Sequence, residues 1–243
     1  MKILVAGGSG GIGRSFVEEI VRVMPQAEVH ATFFRGSPGF ENAPEDKHLE
    51  NSVLWRKADL TDAESVEQLA NSVGPIDWII NAVGMLHTST QMPEKSITQV
   101  DADFFHKTMA VNVLSTLFLA RYFLNNFKGS DCPRFVALSA RVGSIEDNQL
   151  GGWYSYRASK AALNMVLKTF SHEWRRKKPD GCVVAMHPGT VDTQLTEPFK
   201  KNVPPEKLFS SNHSVHQMLE VIRRLSSGQS GQFLAYDGSS IPW

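Results

Sequence analysis

Along the chain, short runs of β-branched and apolar residues alternate with longer stretches in which apolar positions recur every three to four residues. The short runs predict strands and the long ones helices, and their alternation is the mark of βα units laid on a parallel sheet. Strands are predicted at Ile3–Ala6, Glu28–Phe34, Val53–Ala58, Trp78–Ala82, Arg134–Ser139, Gly181–His187 and Gln232–Ala235. The first helix is predicted over Gly13–Met24 and stops at Pro25, which cannot continue it. Thr61-Asp62-Ala63-Glu64 fits a capping box that opens a helix towards Val73. The longest helical patterns cover Asp101–Phe127 and Trp153–Lys177, both candidates for core and for subunit packing. The expected fold is α/β: a doubly wound parallel sheet of about seven strands with helices on both faces.

With 243 residues and 42% hydrophobic content, the chain can bury one substantial core, so a single domain over residues 1–243 is expected. Its 25 basic and 25 acidic residues cancel, which gives no sequence-wide attraction to nucleic acid or to an anionic membrane; neither is expected as a partner. Cys132 and Cys182 lie far apart without a CxxC or Cys/His spacing, so neither a disulfide framework nor a metal site is expected, and a reducing cytoplasm is the expected compartment. The apolar run Met1–Ala6 is too short for a signal-peptide core or a membrane span and reads as the first strand. Gly36–Pro44 and Pro198–Pro205 read as loops. The second follows a strand end and carries Leu195, Phe199, Val203, Leu208 and Phe209 around it, so residues 193–212 are expected to form a substrate lid, with a packed surface loop as the alternative.

Candidate chemistry starts at the end of the first strand. Gly7-Gly8-Ser9-Gly10-Gly11-Ile12-Gly13 leads from that strand into the first helix. Glycines there permit a tight turn and close approach of backbone to a pyrophosphate, and the helix start supplies free N–H groups and a favourable dipole. Gly7, Ser9, Gly10, Gly11, Ile12 and Gly13 are therefore expected cofactor contacts in a Rossmann-like site. About twenty residues on, where an NAD site would hold an acid for the ribose hydroxyls, the second strand ends in Arg35. A guanidinium suits the 2′-phosphate of NADP, so NADP(H) is expected over NAD(H); an unliganded loop arginine is the alternative. At the carboxyl ends of the third and fourth strands, Asp59 is placed to accept from the adenine amino group, Leu60 to pack on its ring, and Asn81, Ala82, Val83 and Gly84 to line the crevice.

Tyr156-Arg157-Ala158-Ser159-Lys160 puts Tyr and Lys at i and i+4, on one helix face. A phenol, with a solution pKa of about 10, is a poor base near neutrality; a neighbouring ammonium and an oxidised nicotinamide would favour its ionised form. Tyr156 is thus the expected general acid for carbonyl reduction and general base for alcohol oxidation, and Lys160 the group that assists it and holds the nicotinamide ribose hydroxyls.

Taken together, the Gly7–Gly13 turn, Asp59-Leu60, Asn81–Gly84, Asn112 within Val111-Asn112-Val113, Tyr156–Lys160 and Pro188-Gly189-Thr190-Val191-Asp192-Thr193 resemble the short-chain dehydrogenase/reductase family over essentially the whole chain. Gly151-Gly152-Trp153-Tyr154-Ser155-Tyr156-Arg157 and Tyr236-Asp237-Gly238 are closer to the C-factor-like and sniffer-type carbonyl reductases. The resemblance implies that Asn112 holds a water linking Lys160 to solvent; the alternative is an amide satisfied by local backbone. It also implies that Pro188, Gly189, Val191 and Thr193 meet the nicotinamide carboxamide and phosphates, and that the protein is a homodimer or homotetramer acting on a small carbonyl or alcohol substrate. His187 is read as packing.

The family's substrate-polarising serine departs from its usual spacing. Counting back from the glycine lands on Ala140, and counting back from the tyrosine lands on Gly143. Ser139 is the expected residue, with Ser144 as the alternative, and Ser139 serves only if the strand has already turned. A carbonyl reductase is the leading reading. A nucleotide-binding signalling or regulatory protein with little turnover is the second, which the displaced serine favours. An epimerase or methyltransferase on the same architecture ranks lower, and no G-x-S-x-G elbow supports a serine hydrolase.

Overall fold

The computed structural model describes residues 1–35 and 52–243, so the Gly36–Pro44 loop lies outside the described residues. Short, largely buried apolar runs build β1 (Lys2–Ala6), β2 (Glu28–Phe33), β3 (Val53–Lys57), β4 (Trp78–Asn81), β5 (Arg134–Leu138) and β6 (Cys182–His187). The two-residue strands β7 (Thr190–Val191) and β8 (Leu208–Phe209) pair with each other, and β9 (Gln232–Ala235) returns to the main sheet. Among the described residues the main sheet has seven strands in the order β3-β2-β1-β4-β5-β6-β9, every neighbouring pair parallel. Ile3 and Val5 point to one face and Leu4 and Ala6 to the other, as strand pleating requires.

Each face is covered by helices. Ile3 and Val5 pack against Phe16, Val17 and Ile20 of α1 (Gly11–Val23) and Val215, Met218, Leu219 and Ile222 of a C-terminal helix, Ser211–Arg224. Leu4 and Ala6 pack under α2 (Ala63–Val73) and the two long helical segments. This is the doubly wound sheet that the alternation of short and long apolar patterns predicts, with strand limits within one residue of expectation.

Three local expectations change. The pattern over Asp101–Phe127 is not one helix: α3 (Ala102–Met109) passes through a π turn at Ala110–Leu114 into α4 (Ser115–Phe123). The inserted residue keeps apolar spacing close to helical, so the sequence carries no visible break. The capping box at Thr61 does not form: Asp62 is the N-cap, accepting from Ser65 N at 2.8 Å, while Thr61 turns back to Asp59. The Trp153–Lys177 pattern becomes α5 (Tyr154–Lys177), and the unpredicted Ser211–Arg224 helix, α6, is capped by Ser210, which accepts from His213 N at 3.2 Å.

Candidate active site

β1 lies between β2 and β4, and the connections leave it in opposite directions, so the carboxyl ends of β1 and β4 open a crevice. There the glycine turn folds back on itself. Gly7 takes a left-handed φ of 78° and its carbonyl accepts from Gly10 N at 3.1 Å. A Cβ on Gly13 would stand 2.1 Å from Gly7 O, so only glycine fits that approach. α1 begins at Gly11 with no side-chain cap and no acid in its first turn. Its first N–H groups are left for an anion, and Ser9 and Gly10 are exposed beside them. This cradle fits the pyrophosphate of a dinucleotide.

Around it the expected contacts divide. Arg35 sits exposed at the end of β2, its guanidinium over the Phe34 ring at 5.6 Å. The Asp59 carboxylate accepts from Thr61 N and the Thr61 hydroxyl at 2.8 and 2.6 Å, so one oxygen is spent on its own turn. Leu60 packs in the core at 6% exposure. Asn81 is satisfied internally: it donates to Thr116 Oγ1 at 2.8 Å and accepts from Val83 N at 3.0 Å. It therefore shapes the Ala82-Val83-Gly84 turn. Val83 lies close enough to Gly7 that a Cβ there would stand 2.9 Å from Val83 Cγ2.

Asn112 sits in the π turn, and its side chain is likewise spent. Its Oδ1 accepts from Met85 N at 2.7 Å, while Nδ2 donates to Met85 O and Ser159 Oγ, both at 2.9 Å. The amide clamps the segment after β4 to α5. The clamp still bears on Lys160, because Lys160 Nζ and Asn112 Oδ1 lie 3.6 and 3.8 Å from the position a Gly84 Cβ would occupy.

Tyr156 and Lys160 share one face of α5, with Lys160 Nζ 5.8 Å from the Tyr156 ring centroid and donating to Leu138 O at 2.9 Å. Burial acts on both. It holds the Tyr156 phenol protonated, well above the usual phenol range, and pushes the Lys160 ammonium down to about 8. Desolvation thus opposes the phenolate that a neighbouring ammonium would favour.

Ser139 follows β5, and its N–H still donates to Met186 O at 2.8 Å, so it continues the ladder by one residue. Its hydroxyl donates to Asn164 Oδ1 at 2.6 Å, and Ser139 lines the same cavity as Tyr156. Ser144 is buried outside that cavity, where its Oγ accepts from Asp147 N at 3.0 Å. At Gly143 a Cβ would stand 2.7 Å from Lys160 Cβ, which excludes a serine where the tyrosine count places one. Asn164, one helical turn beyond Lys160, escaped the sequence reading, although its i+4 spacing puts it on the same face.

The cavity measures about 630 Å³. Ser139, Tyr156, His187, Ile12, Pro188, Gly189, Val191 and Thr193 line it, together with an apolar wall of Leu86, Trp153, Leu195, Phe199 and Val203. Thr193 also meets the glycine turn, since a Cβ on Gly11 would stand 2.8 Å from its Cγ2. The residues 193–203 are pinned by His87, whose Nε2 bonds Leu195 O at 3.2 Å, and by Phe199 against Trp153. Phe209 instead turns onto Tyr236 and Gly189. Burial pushes His187 down to about 4, a neutral ring whose Nδ1 accepts from Arg141 N.

One buried carboxylate had no sequence signal. Glu94, 2% exposed, reaches from the loop after β4 to the start of α5, where its oxygens accept from Ser155 N at 3.3 and 3.2 Å and from the Ser155 hydroxyl. It caps the helix that carries Tyr156 in its first turn, where the N-cap residue Trp153 has no capping side chain. Trp153 itself is left-handed, φ 57° and ψ 39°, a conformation that costs a residue with a Cβ about 1–2 kcal/mol.

Among the described residues no helix is long and apolar enough to cross a membrane, and no cluster of side chains is set to hold a metal ion. The short chain dehydrogenase profile matches residues 1–204. The C-signal of Myxococcus xanthus is 33% identical over 171 residues, covering 70% of this chain and 94% of that protein. The 1-hydroxy-2-glutathionyl-2-methyl-3-butene dehydrogenase of Rhodococcus sp. (strain AD45) is 33% identical over 246 residues, 99% of each chain. An NADPH-bound carbonyl reductase from chicken fatty liver superposes with a TM-score of 0.85 at 26% identity, covering 100% of this chain and 94% of that one. The glycine cradle, the Tyr156/Lys160 face and these likenesses agree: the chain belongs to the short-chain dehydrogenase family, oxidoreductases that bind a nicotinamide cofactor and act on small molecules.

Proposed function

We propose that this protein reduces an aldehyde or ketone with NADPH, Tyr156 giving its phenolic proton to the substrate oxygen. The observation that carries the reading is a phenol that burial keeps protonated, on the wall of a cavity that also reaches the glycine cradle. The coenzyme, when bound, supplies the hydride. Gly7, Ser9, Gly10, Gly11, Ile12 and Gly13 would hold its pyrophosphate, Asn81 would set the Ala82-Val83-Gly84 turn beside it, and Pro188, Gly189, Val191 and Thr193 would close the nicotinamide end. Arg35 would pair with the 2′-phosphate, which its exposed guanidinium and the absence of an acid at that position support.

Lys160, with one N–H given to Leu138 O, has two left to orient the ribose and steady the charge that grows as Tyr156 loses its proton. Asp59 would contribute its second carboxylate oxygen to the adenine side. Ser139 would polarise the carbonyl by turning its hydroxyl from Asn164 to the substrate. Residues 1–243 are read as one domain whose segment 193–212 acts as lid. Exposed Leu117 on α4 and Met165 on α5 suit a homodimer or homotetramer, and the two free cysteines suit a reducing cytoplasm.

The test is NADPH oxidation with a panel of aldehydes, ketones and diketones, run beside NADH. A signalling protein with little turnover is the second reading, favoured by the Ser139 hydroxyl being engaged with Asn164. Tight NADPH binding with no turnover of any carbonyl in the panel would select it.

A further inference from the structure

Trp153 holds a backbone conformation that disfavours any side chain, and it does so at the start of the helix that carries Tyr156. Among the described residues it is the one non-glycine residue with positive φ. The turn is braced from outside. Gly152 before it is also left-handed, at φ 80°, and a Cβ there would stand 3.1 Å from Glu94 O and 3.3 Å from Lys95 O. The Trp153 N–H donates to that same Glu94 carbonyl. Glycine or asparagine at 153 would make this turn with less strain. A strained residue held by its surroundings at the edge of a site points to a use for its side chain.

The indole lines the cavity, half-buried, with its centroid 4.9 Å from the Phe199 ring at 57° and 6.2 Å from the Tyr156 ring at 74°. Leu86, Leu195 and Val203 complete an apolar wall around these three rings. Tilted and edge-on pairings are the ones aromatic rings prefer, so another ring entering beside the phenol finds partners already set at such angles. A methyl group in the same place would gain buried area but no ring pairing.

We infer that Trp153 is a specificity-determining residue: with Phe199 it forms an aromatic cleft beside the Tyr156 phenol that selects carbonyl compounds bearing an aryl group. The inference rests on the reductase reading for its chemistry, but the cleft can be tested without turnover. Benzil and diacetyl are diketones that differ in having phenyl or methyl ends. The ratio of their kcat/KM values with NADPH is measured for the wild type, Trp153→Gly, which keeps the left-handed turn, and Phe199→Leu. Benzil binding to each protein is measured separately by equilibrium dialysis.

The ratio is expected to fall roughly tenfold in both variants, through KM for benzil, as loss of an aromatic contact and its buried area implies. Benzil retention in dialysis should weaken in the same proportion. An unchanged ratio together with unchanged benzil binding overturns the inference. If Trp153→Gly does not fold, Phe199→Leu decides alone. A wild type that turns over neither diketone nor any other carbonyl of the panel sinks the reductase reading, and dialysis then decides the cleft on its own.

Discussion

Burial acts on Tyr156 and Lys160 in opposite senses, and the pH dependence follows from that. The phenol keeps its proton throughout the neutral range, so the proton that the proposed reduction needs is always in place. The ammonium, pushed down to about 8, is lost as pH rises through that value. The kcat/KM for carbonyl reduction should therefore decline above a pH of about 8, while the reverse oxidation, which needs the phenolate, should rise with pH. A reduction profile flat to a pH of about 10 would contradict the Lys160 assignment. His187 bears on stability instead. Its pKa drops from 6.5 to about 4 on folding, so the unfolded chain takes up the proton first; this stability is complete above 6.5 and is lost as pH falls to about 4. His187→Gln should flatten that acid limb in a thermal-melt series. The serine question is also one of single side chains: Ser139→Ala should lower kcat while Ser144→Ala leaves turnover near the wild-type value. The opposite result would move the role to Ser144.

At the scale of elements, the site depends on how α5 is held. Glu94 satisfies the Ser155 N–H and hydroxyl at its first turn, and Asn112 ties its Ser159 to the segment after β4. Removing the Glu94 carboxylate leaves buried donors without a partner, a cost of about 1–3 kcal/mol. Glu94→Ala should lower the melting temperature and kcat together, and Glu94→Gln, which keeps an acceptor, should recover part of both. The glycine turn is less forgiving. Gly13→Ala would drive a Cβ into Gly7 O and should abolish NADPH binding in a fluorescence titration. Strands are legible because burial on both faces leaves a short unbroken apolar run, and most helices because burial on one face leaves a three-to-four period. The π turn was not, since one inserted residue leaves that period nearly intact. The α5 cap was not either, because Glu94 acts on a residue 61 positions away and no local pattern marks it.

For the whole molecule, the parallel sheet gathers segments from β1, β2, β4, β5, α5 and β6 at one edge, and a motif reading finds that edge because each segment sits at a strand end. Asn81, Asn112 and part of Asp59 bond within the protein, and no sequence motif marks those bonds. Cofactor choice is a property of the assembled edge. Arg35→Asp should lower kcat/KM with NADPH and raise the NADH/NADPH ratio; equal use of both by the wild type, unchanged in the variant, would remove the 2′-phosphate contact. The most direct test of the account is turnover by Tyr156→Phe, which keeps the ring and removes the proton. Carbonyl reduction should fall by at least about a hundredfold while NADPH binding stays at the wild-type level. A variant that turns over at the wild-type rate would show that the proton comes from elsewhere.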